Sequence, residues 1–187
     1  AGVTNGEVEI KGAKPEHLGA VIDKLREAGA KIIVNGNKIK VTGRKRFKPV
    51  NVTTLPYPGF PTDMQAQFMA AMCLTDGISV ITEKVYPERF IHISELNRMG
   101  AQIMLEGSSA IVRGVPRLSG APVMASDLRA SAALVIAGLV AKGRTEVSRI
   151  YHIDRGYEKI EEKLLSLGAE IRRERSNEVH PPQNLGG

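Results

Sequence analysis

A chain of 187 residues, 42% of them hydrophobic, has the material for one substantial core, and its formal net charge of +6 is spread along the sequence rather than massed in one block. That balance suits phosphorylated small molecules at least as well as nucleic acid, and with no Trp, four Phe and four Tyr there is little from which to build base-stacking platforms. The longest apolar run, 130–141, is too short to span a bilayer; a single Cys forms no internal disulfide and no signal peptide opens the chain, so a cytoplasmic location is expected.

The chain opens at AGVTNGEVEI with neither an initiator Met nor a clear first element, and its start is expected to lie inside a longer protein. GEVEIKG alternates as a short strand with Val8 and Ile10 on one face. Lys14-Pro15-Glu16 puts a proline at the first position of a helix whose apolar stripe is Leu18, Val21, Ile22, Leu25 and Ala28, and Gly29 is its stop. KIIV and KIKVTG then pair as a hairpin about Asn35-Gly36-Asn37. A second unit follows: a strand at 49–54, a proline-rich loop at 55–61, a helix from 62 to about 75 ended by Gly77, the strand ISVITEKV, a helix at 93–99 leading to Gly100, and a hairpin of AQIMLEG and AIVRG. A third repeats the order with a strand near Val123, a helix at 126–141 ended by Gly143 and the strand TEVSRI. A helix at 156–167, with Tyr157, Ile160, Leu164 and Leu167 on one face, and the strand AEIRRE finish it. From Arg175 the tail is polar, rich in Pro and Gly, and expected to be disordered.

The register shows in three helix ends, Gly29-Ala30-Lys31-Ile32, Gly100-Ala101-Gln102-Ile103 and Gly168-Ala169-Glu170-Ile171, and in Asp63 and Asp127, which fall in the same frame. One strand-helix-strand-helix-hairpin unit used three times accounts for this spacing. The division is then a partial first unit at 1–43 without its opening strand and helix, a second at 44–114, a third at 115–175, and a tail at 176–187. LRASAALVIAGLV is apolar nearly all round, so that helix must be surrounded, whereas the helices ending at Gly29 and Gly168 are amphipathic. Sheets wrapped around helices would invert the usual α/β barrel.

Thr62-Asp63 and Ser126-Asp127 stand at helix starts, where capping and the helix dipole favour acids in any case. Beside its glycine-proline loop, Asp63 also suits a general base acting on a substrate hydroxyl. Arginine at that end opposes the dipole. Yet Arg129 follows Asp127 by two positions, Arg155 in HIDRGYE precedes its helix, and Arg89 in VYPERFIHI takes the corresponding place in the second unit. An anion there satisfies amide donors and guanidinium groups together; solvated or salt-bridged arginines are the plain alternative. Cys73, in FMAAMCL, reads as an inert core thiol. The histidines lack metal-ligand spacing, the basic residues at 38–48 read as a solvated face, and no cofactor or metal is called for.

FPTDMQAQF, SDLRASAALVIAG and IYHIDRGYEKIE, in that order and spacing, closely resemble the C-terminal half of the UDP-N-acetylglucosamine 1-carboxyvinyltransferases, enolpyruvyl transferases of peptidoglycan synthesis. The sister 5-enolpyruvylshikimate-3-phosphate synthases share that family's fold but not these motif sequences. The resemblance implies an inside-out α/β barrel of repeated βαβαββ units, helices enclosed by sheets. It also implies transfer of the enolpyruvyl group of phosphoenolpyruvate to the 3-hydroxyl of UDP-N-acetylglucosamine with release of phosphate. By motif position Asp63 would bind the sugar nucleotide and act as base, Val85 would contact it, Arg129 and Arg155 would grip phosphoenolpyruvate with Arg89 as a third, and Asp127 and Leu128 would line the same site. The family's reactive loop residue, its lysine-asparagine pair and most uridine contacts lie in an N-terminal domain that this chain does not contain. The chain alone is therefore expected to be inactive. The alternatives are a sister transferase with another acceptor, or a non-catalytic nucleic-acid module of related repeats.

Overall fold

The computed structural model describes residues 1–174; the tail expected to be disordered lies outside them. Three sheets are present among the described residues. β1 (Glu7–Lys11), β2 (Lys31–Asn35) and β3 (Lys38–Thr42) are antiparallel in the order β1-β3-β2. Val8, Val41 and Ile32 stand opposite one another in it, as do Ile10, Ile39 and Val34, which gathers the apolar side chains on one face. α1 (Gly19–Glu27), entered through a 3-10 turn at Pro15–His17, packs on β2 and buries Val21 and Ile22. The proline opens that tighter turn rather than the α-helix itself.

β4 (Val52–Thr53), β5 (Ile78–Thr82), β6 (Gln102–Glu106) and β7 (Ser109–Arg113) form the second sheet in the order β4-β5-β7-β6, with β4 parallel to β5. The strand expected at 49–54 is reduced to two ladder residues because side chains take the neighbouring bonds: Val50 N–H donates to Ser79 Oγ at 3.1 Å and Val80 N–H to Asn51 Oδ1 at 2.8 Å. The third sheet is one parallel pair, β8 (Pro122–Met124) with β9 (Glu146–Ser148).

The core sits around two helices packed on each other, α2 (Gln65–Met72) and α4 (Leu128–Gly138). Every residue of α2 is buried, and α4 buries Ala130 to Leu134 and Ala137. Alanines at 66, 70, 71, 130, 133 and 137 are all buried, and small side chains let helix axes come close. Val135, Ile136, Leu139 and Val140 are only half-buried. α2 follows a 3-10 turn at Thr62–Met64 and ends at Cys73, short of Gly77, where the Thr75 hydroxyl donates to the Met72 carbonyl at 3.1 Å.

α3 (Ile93–Arg98) lies between β5 and β6, and α5 (Tyr151–Asp154) and α6 (Ile160–Ser166) replace the single helix expected at 156–167. Lys159, at φ 46°, divides the two and leaves Tyr157 outside α6. α1, α3 and α6 close identically: Gly29, Gly100 and Gly168 have φ of 100°, 88° and 90°. The following alanine amides, 30, 101 and 169, reach back to the carbonyls of Leu25, Leu96 and Leu164 at 2.9, 3.1 and 3.0 Å. This is one Schellman closure used three times, and the left-handed residue in it favours glycine.

AEIRRE is not a strand. Arg173 forks onto Asp154 at 2.9 and 2.7 Å and onto Glu161 at 2.7 and 3.0 Å, so charged side chains rather than a ladder hold this segment against α5 and α6. Among the described residues no helix is long and apolar enough to cross a membrane.

Candidate active site

Glu83, just after β5, is fully buried and collects four donors. Thr54 Oγ1 bonds to Oε1, the amides of Val85 and Tyr86 donate to the same oxygen at 2.9 Å each, and Thr62 Oγ1 bonds to Oε2 at 2.9 Å. A buried carboxylate persists only when its oxygens are satisfied in this way. It ties the end of β4, the turn into α2 and the loop after β5 into one junction. Sequence reasoning missed it; the only signal was a Glu between an alternating strand and a loop that carries two candidate residues.

Asp63 lies on the 3-10 turn that this junction fixes. Arg89 Nη1 donates to its Oδ1 at 2.8 Å and Arg129 Nη2 to its Oδ2 at 2.7 Å. The hydrogen bond from Arg129 holds the Asp63 carboxyl below its ordinary range; partial burial opposes this, and the Arg89 hydrogen bond adds to it. The carboxylate is therefore charged at neutral pH.

Arg129 Nη1 also donates to the Tyr157 hydroxyl at 3.1 Å, its guanidinium carbon 5.7 Å from the ring centre. Gln67 Nε2, from α2, reaches the same hydroxyl at 3.1 Å. The spacing of Tyr157 with Ile160, Leu164 and Leu167 predicts a place on a helix face. The break at Lys159 is what turns it toward α2 and α4.

Asp127 does something different from Asp63. It caps α4, accepting from the Ala130 amide at 2.7 Å, while the turn holding Asp63 has no side-chain cap. Leu128 abuts Gly156, where an added Cβ would lie 2.9 Å from Leu128 Cδ2, and so packs on the turn that carries Arg155 and Tyr157. Arg155 is exposed at the C-cap of α5 and forms no ion pair among the described residues. Val85 is 42% exposed, its amide held by Glu83. Asp63, Arg89 and Arg129 are thus in direct contact, Leu128 adjoins the Arg155 turn, and Val85 is tied to Thr62 through Glu83.

Beside this cluster His92 is buried, its Nε2 without a partner among the described residues. Burial lowers its pKa to about 4, with Asp127 opposing the shift and Arg89 adding to it. Cys73 is fully buried and its thiol is pushed up to about 12 by that burial, which makes it inert. A hollow of about 800 Å³, whose lining includes none of Asp63, Arg89 and Arg129, lies between α4, β9 and 170–174; Leu134, Val135, Leu139 and Leu165 line it together with Arg144 and Arg173.

A family model described as EPSP synthase (3-phosphoshikimate 1-carboxyvinyltransferase) matches residues 1–164. The chain belongs to the EPSP synthase family. Within it, the chain is 61% identical over 173 residues to a UDP-N-acetylglucosamine 1-carboxyvinyltransferase of Desulfosudis oleivorans, covering 92% of this chain and 42% of that one. It is 54% identical over 176 residues to the enzyme of the same name from Myxococcus xanthus, covering 94% and 42%. The chain thus spans about two fifths of the length of these relatives, and the likeness read from its motifs is the one they carry. The crystal structure of the enolpyruvyl transferase NikO from Streptomyces tendae superposes with a TM-score of 0.82 at 28% identity, over 91% of this chain and 41% of that one. An EPSP synthase from Acinetobacter baumannii, at 18% identity and a TM-score of 0.58 over 78% of this chain and 35% of that one, shares the fold. The mixed α/β architecture is that of this family.

Proposed function

We propose that the chain is the C-terminal part of an enzyme transferring the enolpyruvyl group of phosphoenolpyruvate to the 3-hydroxyl of UDP-N-acetylglucosamine, the first committed step of peptidoglycan synthesis, in the cytoplasm. The observation that carries this is the Asp63 carboxylate set between Arg89 and Arg129 at 2.8 and 2.7 Å, in a chain 54% to 61% identical to enzymes of that name. The hydroxyl oxygen bonds to C2 of phosphoenolpyruvate, its proton passes to Asp63 and C3 gains a proton. The resulting tetrahedral adduct then loses phosphate from C2 and a proton from C3. Arg89, Arg129 and Arg155 neutralise the donor's phosphate and carboxylate, which is where charge must be held through the addition. Val85 contacts the sugar nucleotide, and Asp127 and Leu128 line the wall.

The fold is read as an inside-out barrel of βαβαββ units, divided at 1–43, 44–114 and 115–175. The threefold Schellman closure supports it, as does the fully buried α2 packed on the buried face of α4. β4 and β8 each lie parallel to the strand that follows their helix, β5 and β9. By analogy the free edge of β1 takes an opening strand from preceding chain, and a third enclosed helix covers the half-buried face of α4. The N-terminal domain of the same enzyme supplies the rest of the cleft, and this chain alone is inactive. Nucleic acid is not a partner.

Phosphate release by the full-length protein, with phosphoenolpyruvate and either UDP-N-acetylglucosamine or shikimate 3-phosphate, tests the assignment. Turnover with the first acceptor, lost by orders of magnitude in Asp63→Ala at unchanged melting temperature, is expected. Turnover only with the second would transfer the chain to the sister activity.

A further inference from the structure

Arg89 and Arg129 are each held twice. One partner of each is neutral: Thr62 Oγ1 at 3.2 Å for Arg89, the Tyr157 hydroxyl at 3.1 Å for Arg129. The other partner of both is the single carboxylate of Asp63. The neutral anchors are fixed independently of Asp63, Thr62 by its bond to buried Glu83 and Tyr157 by Gln67 of enclosed α2. Asp63 is the loosely held member, its side chain 51% exposed against 21% and 26% for the two arginines. Among the described residues its carboxylate bonds to nothing but the arginines.

Ion pairs at such exposure are weak, whereas a phosphate monoester presents more charge and three oxygens to a pair of guanidinium forks. We propose that Asp63 is the resident counter-ion of the Arg89–Arg129 pair, displaced by the phosphate-bearing ligand, and that this displacement frees the carboxylate for the acceptor hydroxyl. This rests on the function proposed above. Asp63 offsets one of the two guanidinium charges, so the arginines are not left as bare like charges and the cluster keeps a net positive charge for an arriving anion. When the anion arrives, Thr62 and Tyr157 keep both guanidinium groups in place while their charged partner changes. Asp63 then loses its two cationic donors and becomes a stronger proton acceptor only once the donor is seated.

Calorimetric titration of the full-length protein with inorganic phosphate and with phosphoenolpyruvate tests the exchange. Asp63→Asn removes the competing charge at constant shape, so both anions should bind about tenfold more tightly while turnover falls. Unchanged or weaker binding of both overturns the proposal, and Asp63→Ser carries the same expectation if the amide variant melts early. Tyr157→Phe keeps the ring beneath Arg129 and removes the hydroxyl; anion binding should weaken about fivefold, and undiminished binding overturns the anchoring role. Tighter phosphate binding by Asp63→Asn, together with a wild-type protein that shows no transfer activity, would leave the counter-ion exchange standing and remove the transferase assignment.

Discussion

Arg129 Nη2 reaches Asp63 Oδ2 at 2.7 Å across 66 positions of sequence. The contact exists because α2 and α4 pack on each other with their starts at the same end, so that the first turn of one delivers a cation to the turn ahead of the other. Asp127, at the matching place before α4, spends its carboxylate on the Ala130 amide instead. Two junctions that look alike in sequence are therefore chemically distinct: one aspartate finishes a helix, the other faces two arginines.

Arg155 is the exposed cation of the group, and its turn is positioned by the Gly156–Leu128 contact and by Tyr157. Arg155→Ala in the full-length protein should raise KM for phosphoenolpyruvate by a factor corresponding to about 2 kcal/mol. KM for the sugar nucleotide should stay nearly constant. Steady-state kinetics with each substrate varied separates these, and an unaltered donor KM takes Arg155 out of the site.

Glu83→Gln should lower the free energy of unfolding by about 3 kcal/mol, since the amide keeps one acceptor oxygen and turns an NH₂ group toward donors that are already committed. Urea denaturation at pH 7 measures it. Because Val85 and Thr62 hang from the same carboxylate, sugar-nucleotide KM should rise in parallel; a loss below about 0.5 kcal/mol would mean the junction relaxes onto water.

His92 makes stability fall with acid before any carboxylate does. Its folded-state pKa of about 4 lies below the ordinary 6.5, so the unfolded chain takes up the proton first. Stability is complete above pH 6.5, declines as the pH drops, and levels off near pH 4 after a loss on the order of 3 kcal/mol. Asp63, Asp154 and Glu161 also have lowered values, and their contributions disappear only as the pH falls below the ordinary carboxylate range. Thermal melts at pH 7, 5.5 and 4.5 should show the decline in wild type and a flatter profile in His92→Gln. A wild type that is flat over this window would contradict the buried, neutral imidazole.

Cys73, fully buried on the core side of the α2 end, should resist a thiol reagent at pH 8 in the native state and react promptly in denaturant. Peptide mapping of the labelled full-length protein identifies the site. Rapid native labelling would place the end of α2 at the surface.

Much of the architecture follows from local chemistry along the chain. Gly29, Gly100 and Gly168 stop their helices, Gly36 and Gly107 turn the hairpins with φ of 56° and 55°, and the apolar sequence of α2 and α4 demands enclosure. Asp63, Arg89 and Arg129 could be picked out because charges that oppose or exceed the needs of a helix start want another explanation. Glu83 and Tyr157 could not, since a glutamate after a strand and a tyrosine near a helix carry no local conflict. AEIRRE shows the same limit, because its alternation is that of a strand while Asp154 and Glu161 claim its arginine.

Periodicity, caps and turns act over a few residues, so elements and their order can be read from the chain alone, and so can the motifs that mark its family. Which donor meets which acceptor depends on how α2 and α4 lie against each other and on where the chain breaks at Lys159, both outcomes of packing among distant residues. The carboxylate of Asp63 acquires its meaning from guanidinium groups that no local pattern could have placed beside it.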